Sequence, residues 1–379
     1  MDMKAVPVSM LDLGAQLAPL REELMASIRR VVESGRFIMG PEIDRLEKEM
    51  ASRAAAAAAV AVSSGTDALL VSLMALDIGP GSEVITTPFT FFATAGTVWR
   101  SGAKPVFVDI EPDTFNIDAS RIEAAVTPRT RAVMPVHLYG QCADMDAICA
   151  LAKGKGLRVI EDSCQAVCTE YAPGRQAGTI GDLGCLSFYP TKNLPGIGDA
   201  GMVLVGRDSA LADRVKRLRI HGGERRYFHR EVGGNFRMDE MQAAALNVFL
   251  PRLEGWIKAR RDNAERYRKL FVEAGLAREK GLVLPVERRP HTYHQFVIRV
   301  PRRDALKDFL ESKGIQTDVY YPLPLHMQEC FRGLGYREGD FPEAERAARE
   351  VLALPINPLL TPAQQEIVVG TIGEFYRTS

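Results

Sequence analysis

The absences narrow the reading first. No apolar run approaches the roughly 18 residues needed to span a bilayer, so no transmembrane helix is expected. Net charge is missing too: 48 Lys and Arg stand against 48 Asp and Glu. That balance leaves no field to draw nucleic acid or an anionic membrane. The first residues, Met1-Asp-Met-Lys-Ala-Val-Pro7, do not pass from positive charge into an apolar stretch as a secretion signal does. Cysteine is sparse, six scattered positions (142, 149, 164, 168, 185, 330) in 379 residues. Without a signal these read as reduced, mostly buried thiols. Cys164 and Cys168 are spaced like a helical pair, and no metal is assigned to them. The expectation is a soluble, cytoplasmic protein without metal, membrane or nucleic-acid partner.

What is present is a chain too long for one ordinary core. Short β-branched runs alternate with helical patterns over the first two-thirds. Ala59–Val62, Glu83–Thr86, Pro105–Asp109, Ala132–Val136 and Leu157–Glu161 read as strands. A helical stretch, Ala143–Lys153, lies between the last two, which makes a βαβ unit. Several such units predict an α/β fold with a mainly parallel sheet and helices on both faces. From Pro251 the pattern changes to a long charged helix (Leu253–Ala274), a strand (Tyr293–Val300), a helix (Arg303–Lys313) and a Pro-rich loop (Tyr320–His326). The predicted organisation is a large domain over 1–250 and a smaller α+β domain over 251–379.

Ligands of parallel sheets gather at the carboxyl ends of the strands, so three turns carry the interest. Ser63-Ser-Gly65-Thr66-Asp67 joins a strand to a helix, as a phosphate-binding helix start or an ordinary cap by Ser64 or Thr66. Asp162 ends a buried strand, where a carboxylate needs a cationic partner such as a protonated pyridine nitrogen, unless it simply caps a helix. Lys192 follows an apolar strand, with Ser187 upstream and a glycine-rich loop downstream. Most lysines are merely solvated, but a partly buried one becomes a nucleophilic amine able to form an imine. Gly196-Ile-Gly-Asp-Ala-Gly201 matches the dinucleotide fingerprint, yet a strand-like Met202–Val205 follows it where a helix should. His291 and His294 read as packing or hydrogen-bonding residues.

Together these turns resemble the DegT/DnrJ/EryC1/StrS sugar aminotransferase family, within the pyridoxal-phosphate-dependent transferase fold type I. The motifs that carry the resemblance include Ser64-Gly-Thr-Asp-Ala-Leu69, Thr87-Pro-Phe-Thr-Phe-Phe-Ala-Thr94, Pro135-Val-His-Leu-Tyr-Gly140 and Ser187-Phe-Tyr-Pro-Thr-Lys192. Gly234-Asn-Phe-Arg-Met-Asp239 and Tyr321-Pro-Leu-Pro-Leu-His326 extend it along nearly the whole chain. The resemblance implies pyridoxal 5′-phosphate held as an internal aldimine on Lys192, with pyridoxamine phosphate as the intermediate. It implies Asp162 on the pyridine nitrogen, Gln165 near the ring hydroxyl and Phe91 stacked on the ring. Gly65, Thr66 and Ser187 would hold the phosphate, joined by Asn235 from the second subunit of a homodimer with shared sites. Arg237, Tyr320, Tyr321 and His326 would be candidates for contacting substrate.

The implied reaction moves an amino group from an amino acid, by family habit L-glutamate, to a keto group on a nucleotide-linked sugar. Such amino sugars serve polysaccharide or antibiotic synthesis. The segment 139–144, Arg225-Arg-Tyr227 and the Tyr-Pro-Leu-Pro-Leu loop most resemble members that act on 3-keto sugars. The alternatives are an aminotransferase for a keto-cyclitol (inosose) and a cofactor-binding regulator without turnover. Two departures from the family pattern stand out: Ala200 where a glycine is usual, and Ala166-Val-Cys-Thr169 in place of a Gly-Ala pair.

Overall fold

A computed structural model describes residues 7–277 and 281–378 of the chain. Its central sheet has seven strands: β1 (Ala58–Val62), β2 (Glu83–Thr86), β3 (Lys104–Phe107), β4 (Thr130–Val133), β5 (Arg158–Asp162), β6 (Leu183–Ser187) and β7 (Gly201–Val205). They lie in the order β1-β7-β6-β5-β4-β2-β3. The ladders from β3 through β6 are parallel, and β7 alone runs against its neighbours. Each strand segment expected from the sequence is a strand. β4 stops at Val133, short of the expected Val136, and Pro135 has no N–H to continue the ladder.

Side chains of β1 and β7 alternate between two cores. Val60, Val62, Val203 and Val205 pack on one face, and Ala59, Ala61, Met202 and Leu204 on the other, the period-two pattern of a sheet covered on both sides. The first face is covered by α1 (Gly65–Ala75), whose residues are buried on almost every side. Ser64 caps that helix, its side chain accepting from the N–H of Asp67 at 3.0 Å. Further helices flank the sheet, among them α2 (Ala93–Arg100) and α3 (Met145–Lys155).

The smaller C-terminal α+β portion has its own apolar centre. It comprises α4 (Leu253–Glu273), β8 (Phe296–Arg299), α5 (Arg303–Ser312), β9 (Val351–Leu354) and α6 (Pro362–Thr378). Tyr267, Phe271, Phe296, Ile298, Leu310, Leu352 and Val368 fill its core, and β8 pairs antiparallel with β9. Tyr293 to Gln295, expected in the strand, precede it instead. Buried Arg260 draws the carbonyls of Tyr293 and His294 out of any ladder, at 3.1 and 3.4 Å. Among the described residues no helix is long and apolar enough to cross a membrane.

Candidate active site

The carboxyl edge of the sheet opens into a cavity of about 570 Å³. A second hollow of about 520 Å³ lies at the opposite edge and contains none of the site residues implied by the family resemblance. The cavity wall is built from four strand ends: the β1–α1 turn (Ser64, Gly65, Thr66), the β2–α2 loop (Thr90, Phe91), the end of β5 (Asp162, Cys164, Gln165) and the loop after β6 (Ser187, Tyr189, Lys192). His294, Gln295, Tyr320 and Tyr321 close it from the C-terminal portion.

At one end the backbone approaches very closely. Gly201 sits between Val62 and Ser187 in the sheet, and a Cβ there would lie 2.3 Å from the carbonyl carbon and oxygen of Ser64. A Cβ on Gly65 would meet that of Ser187 at 2.6 Å. Two glycines therefore let three chain segments converge. The capped N–H is that of Asp67, so the N–H groups of Gly65 and Thr66, in the first turn, have no partner within the helix. The Ser187 hydroxyl stands beside them, accepting from the N–H of Tyr189 at 3.3 Å.

At the other end lies Asp162, 5% exposed. Its Oδ2 accepts from the Thr94 hydroxyl at 2.8 Å and its Oδ1 from the Cys164 N–H at 3.2 Å. The adjacent Glu161 points to the other face, where it accepts from the N–H groups of Gly178, Ile180 and Gly181 and from His137 Nε2. Strand alternation thus separates a structural carboxylate from one that faces the cavity. Lys192 follows a turn in which its N–H reaches the Tyr189 carbonyl at 2.8 Å. Burial lowers the pKa of its amine, against the opposing pull of Cys164 and Asp162, and so favours the neutral, nucleophilic form.

Gln165 joins two parts of the wall. Its Oε1 accepts from the Tyr139 N–H at 2.8 Å, and its Nε2 donates to the Tyr321 hydroxyl at 3.0 Å. Phe91, 57% exposed, stands at the mouth with its ring centroid 6.3 Å from that of Tyr321.

The chain matches the model of the DegT/DnrJ/EryC1/StrS aminotransferase family over residues 19–373. It belongs to that family. A pleiotropic regulatory protein of Geobacillus stearothermophilus is 50% identical over 98% of this chain and 99% of its own length. The dTDP-3-amino-3,4,6-trideoxy-α-D-glucose transaminase of Streptomyces venezuelae is 43% identical, with 97% of this chain and 96% of that protein covered. The crystal structure of S. venezuelae DesV in complex with a ketimine intermediate superposes with a TM-score of 0.93 at 42% identity, covering 97% of this chain and 98% of that one. The DegT/DnrJ/EryC1/StrS aminotransferases depend on pyridoxal phosphate.

Nine of the residues taken from the sequence as family site positions share this one cavity: Gly65, Thr66, Phe91, Asp162, Gln165, Ser187, Lys192, Tyr320 and Tyr321. Three do not line it. Asn235 is exposed and pairs with Ile220. Arg237 bridges to Val62, and its Nε is buried without a partner. His326 is turned inward, its Nε2 at 3.1 Å from Glu345 Oε1 and its ring edge-on to Phe341. Of the family departures, Ala200 is buried and does not have positive φ, so the alanine is unstrained. Cys164 and Cys168 lie in successive turns, not on one helix. Among the described residues no cluster of three or more His, Cys, Asp or Glu could hold a metal.

His294 and Thr94 were not singled out from the sequence. His294 was read as a packing residue, yet it lines the cavity with Nδ1 buried and unpartnered. Burial, with Lys192, Arg260 and His291 nearby, pushes its pKa well down, so the ring is neutral. Thr94 lies four residues after Thr90, the spacing of one helical turn, and that was the available signal.

Proposed function

We propose that this aminotransferase transfers an amino group from L-glutamate to a keto group, at C3, of a nucleotide-linked sugar, with Lys192 as the catalytic amine. The observation that carries the reading is the convergence, in one cavity, of a half-buried lysine, a buried carboxylate and an anion-ready helix start. These fit a phosphorylated pyridine aldehyde. The free N–H groups of Gly65 and Thr66 and the Ser187 hydroxyl would hold the phosphate. Asp162 would pair with the ring nitrogen, Phe91 would cover the ring, and Lys192 would bond the aldehyde carbon. Bound there, the cofactor supplies a ring that accepts electrons from the substrate's α-carbon. Lys192, its pKa lowered by burial, would take the proton from the glutamate α-carbon and return it, as base and then acid. Gln165 and Tyr321 orient the oxygen-bearing edge, and Tyr320 borders the space left for the sugar. The amino nitrogen leaves glutamate as 2-oxoglutarate forms and ends on the sugar carbon that carried the oxygen. The C3 assignment draws support from the S. venezuelae relative, whose product is a 3-amino sugar.

The same reading makes the enzyme a homodimer. Phe37, Ile38 and Met39 are exposed beside Asp239, and exposed Ile197, in the loop after Lys192, is held by Gln242 of the same region. This apolar surface next to the lysine loop suits a second copy of the chain, and exposed Asn235 would reach the partner's phosphate seat. Arg237 would face substrate across that interface, and His326 would set the shape of the Tyr320–Leu325 loop from beneath.

The test is a half-reaction followed by a panel of acceptors. Glutamate should bleach the visible band of the purified holoenzyme, and a nucleotide-linked 3-keto sugar should restore it. Restoration by inososes alone would transfer the assignment to a cyclitol substrate. A second reading, a regulator without turnover, draws on the name of the G. stearothermophilus relative. A band untouched by any amino donor would favour it.

A further inference from the structure

Thr94 is fully buried, in the first turn of α2, and its hydroxyl donates to Asp162 Oδ2 at 2.8 Å. An ionised carboxylate only accepts hydrogen bonds, so Thr94 commits its single proton to Asp162. The contact between the Thr90 and Thr94 hydroxyls, at 3.1 Å, then has one allowed direction: Thr90 donates to Thr94. The two side chains form a directed relay, from the cavity wall to the carboxylate, in which each hydroxyl is polarised by the next. Together with the Cys164 N–H on Oδ1 at 3.2 Å, the relay gives both Asp162 oxygens a fixed donor. Hydrogen bonds to the charged form of a carboxylate make it a weaker base.

We propose that Thr94 is a positioning residue that acts through Asp162 to keep the shared proton on the cofactor's ring nitrogen rather than on the carboxylate. The inference rests on the assignment of Asp162 to that nitrogen. A carboxylate without the Thr94 donor would be the stronger base and would draw the proton toward itself, leaving a ring less able to accept electrons. Thr90, one donor further out, strengthens the same effect.

The test uses holoenzyme carrying pyridoxal phosphate labelled with ¹⁵N in the ring, whose nitrogen shift distinguishes protonated from neutral pyridine. Thr94→Val keeps the shape and removes the hydroxyl. It should move the ring nitrogen signal toward the neutral position and lower kcat about tenfold or more, with KM for glutamate little changed. Thr94→Ser should restore both. A Thr94→Val holoenzyme with the wild-type nitrogen signal, alongside an Asp162→Asn enzyme in which it has moved, would overturn the role of Thr94 and leave that of Asp162 standing. An unmoved signal in Asp162→Asn would overturn the Asp162 assignment, and this inference with it. Should Thr94→Val fail to fold, Thr90→Val gives the decision: a smaller shift in the same direction supports the relay, and none overturns it.

Discussion

The amide of Gln165 can point only one way. Its oxygen accepts from the Tyr139 N–H at 2.8 Å, so its nitrogen must donate to the Tyr321 hydroxyl at 3.0 Å. The Tyr321 oxygen is thereby an acceptor toward Gln165, and its own proton is free for a ligand. Burial raises the Tyr321 pKa, with a hydrogen bond from Gln165 acting the other way, so the proton stays on. Gln165→Glu would reverse this, because a carboxylate would take the Tyr321 proton for itself. Both Gln165→Glu and Tyr321→Phe should lower kcat/KM about tenfold. The double variant should lose less than the two losses combined, since both remove one donor to the ligand. Steady-state kinetics of the four proteins measures this.

Lys192→Ala should bind pyridoxal phosphate without the visible band of the lysine-bound cofactor, and it should not turn over. In the apoprotein, burial holds the Lys192 pKa below that of a solvated lysine, so a larger fraction of this amine is neutral at a given pH. Brief treatment with trinitrobenzenesulfonate near neutral pH, followed by peptide mapping, should find Lys192 modified first. Preferential modification elsewhere would contradict a lowered pKa at this position.

Gly201→Ala places a methyl group against the peptide between Ser64 and Gly65, at 2.3 Å from Ser64 and 2.6 Å from the Gly65 nitrogen. Backbone cannot rotate away as a side chain can, so the turn must shift. A loss of about 1–3 kcal/mol in stability is expected, with a larger loss of cofactor affinity because the displaced N–H groups belong to the proposed phosphate seat. Denaturant unfolding and cofactor titration separate the two effects.

His291 is buried, stacked on the Tyr293 ring at 4.0 Å between centroids, and accepts from the Tyr293 N–H at 2.9 Å. Burial, helped by Arg268 and Arg261, pushes its pKa from 6.5 down to about 3. The unfolded chain therefore takes up this proton at a higher pH than the folded one. Stability should fall as pH drops below about 6.5, by about 1.4 kcal/mol per pH unit for this one group, and should level off near the folded value. His291→Phe, which keeps a stacked ring, should shrink the difference in unfolding free energy between pH 7 and pH 5.

If Asn235 serves the partner's site, two inactive proteins should complement. Mixtures of Lys192→Ala and Asn235→Ala subunits, reassorted by mild denaturation, should recover part of the activity, because one site in each heterodimer keeps both residues. Recovery absent despite verified mixed dimers would place Asn235 outside the neighbouring site.

Much of this was legible in the sequence because the relevant turns are local. Ser64-Gly-Thr66 and Asp162 sit next to strands that β-branched residues mark plainly, Ser187–Lys192 follows an apolar strand, and strand ends in a parallel sheet converge without further information. The misses have a different origin. His294 lies in an apolar run that reads as strand, and only buried Arg260, distant in sequence, turns its carbonyl aside. His326, at the end of the Pro-rich loop, is held inside by Glu345 and Phe341, which no local pattern announces. Thr94 looks like any residue of a helix start until Asp162 is placed beside it. Contacts of this kind depend on tertiary packing, on which periodicity is silent.

The reversed direction of β7 has a consequence for how Lys192 is held. Because β7 runs back alongside β6, residues 188–200 begin and end at neighbouring points, Ser187 facing Gly201. The Phe188 N–H closes the loop on the Ala200 carbonyl at 2.8 Å. A parallel return would have had to carry the chain across to the opposite edge of the sheet before re-entering it. Here the chain ends are already joined, so little further freedom is lost when the lysine is fixed. The amine proposed as catalytic is thus confined in part by the connectivity of the sheet, and the residues around it are left to govern chemistry.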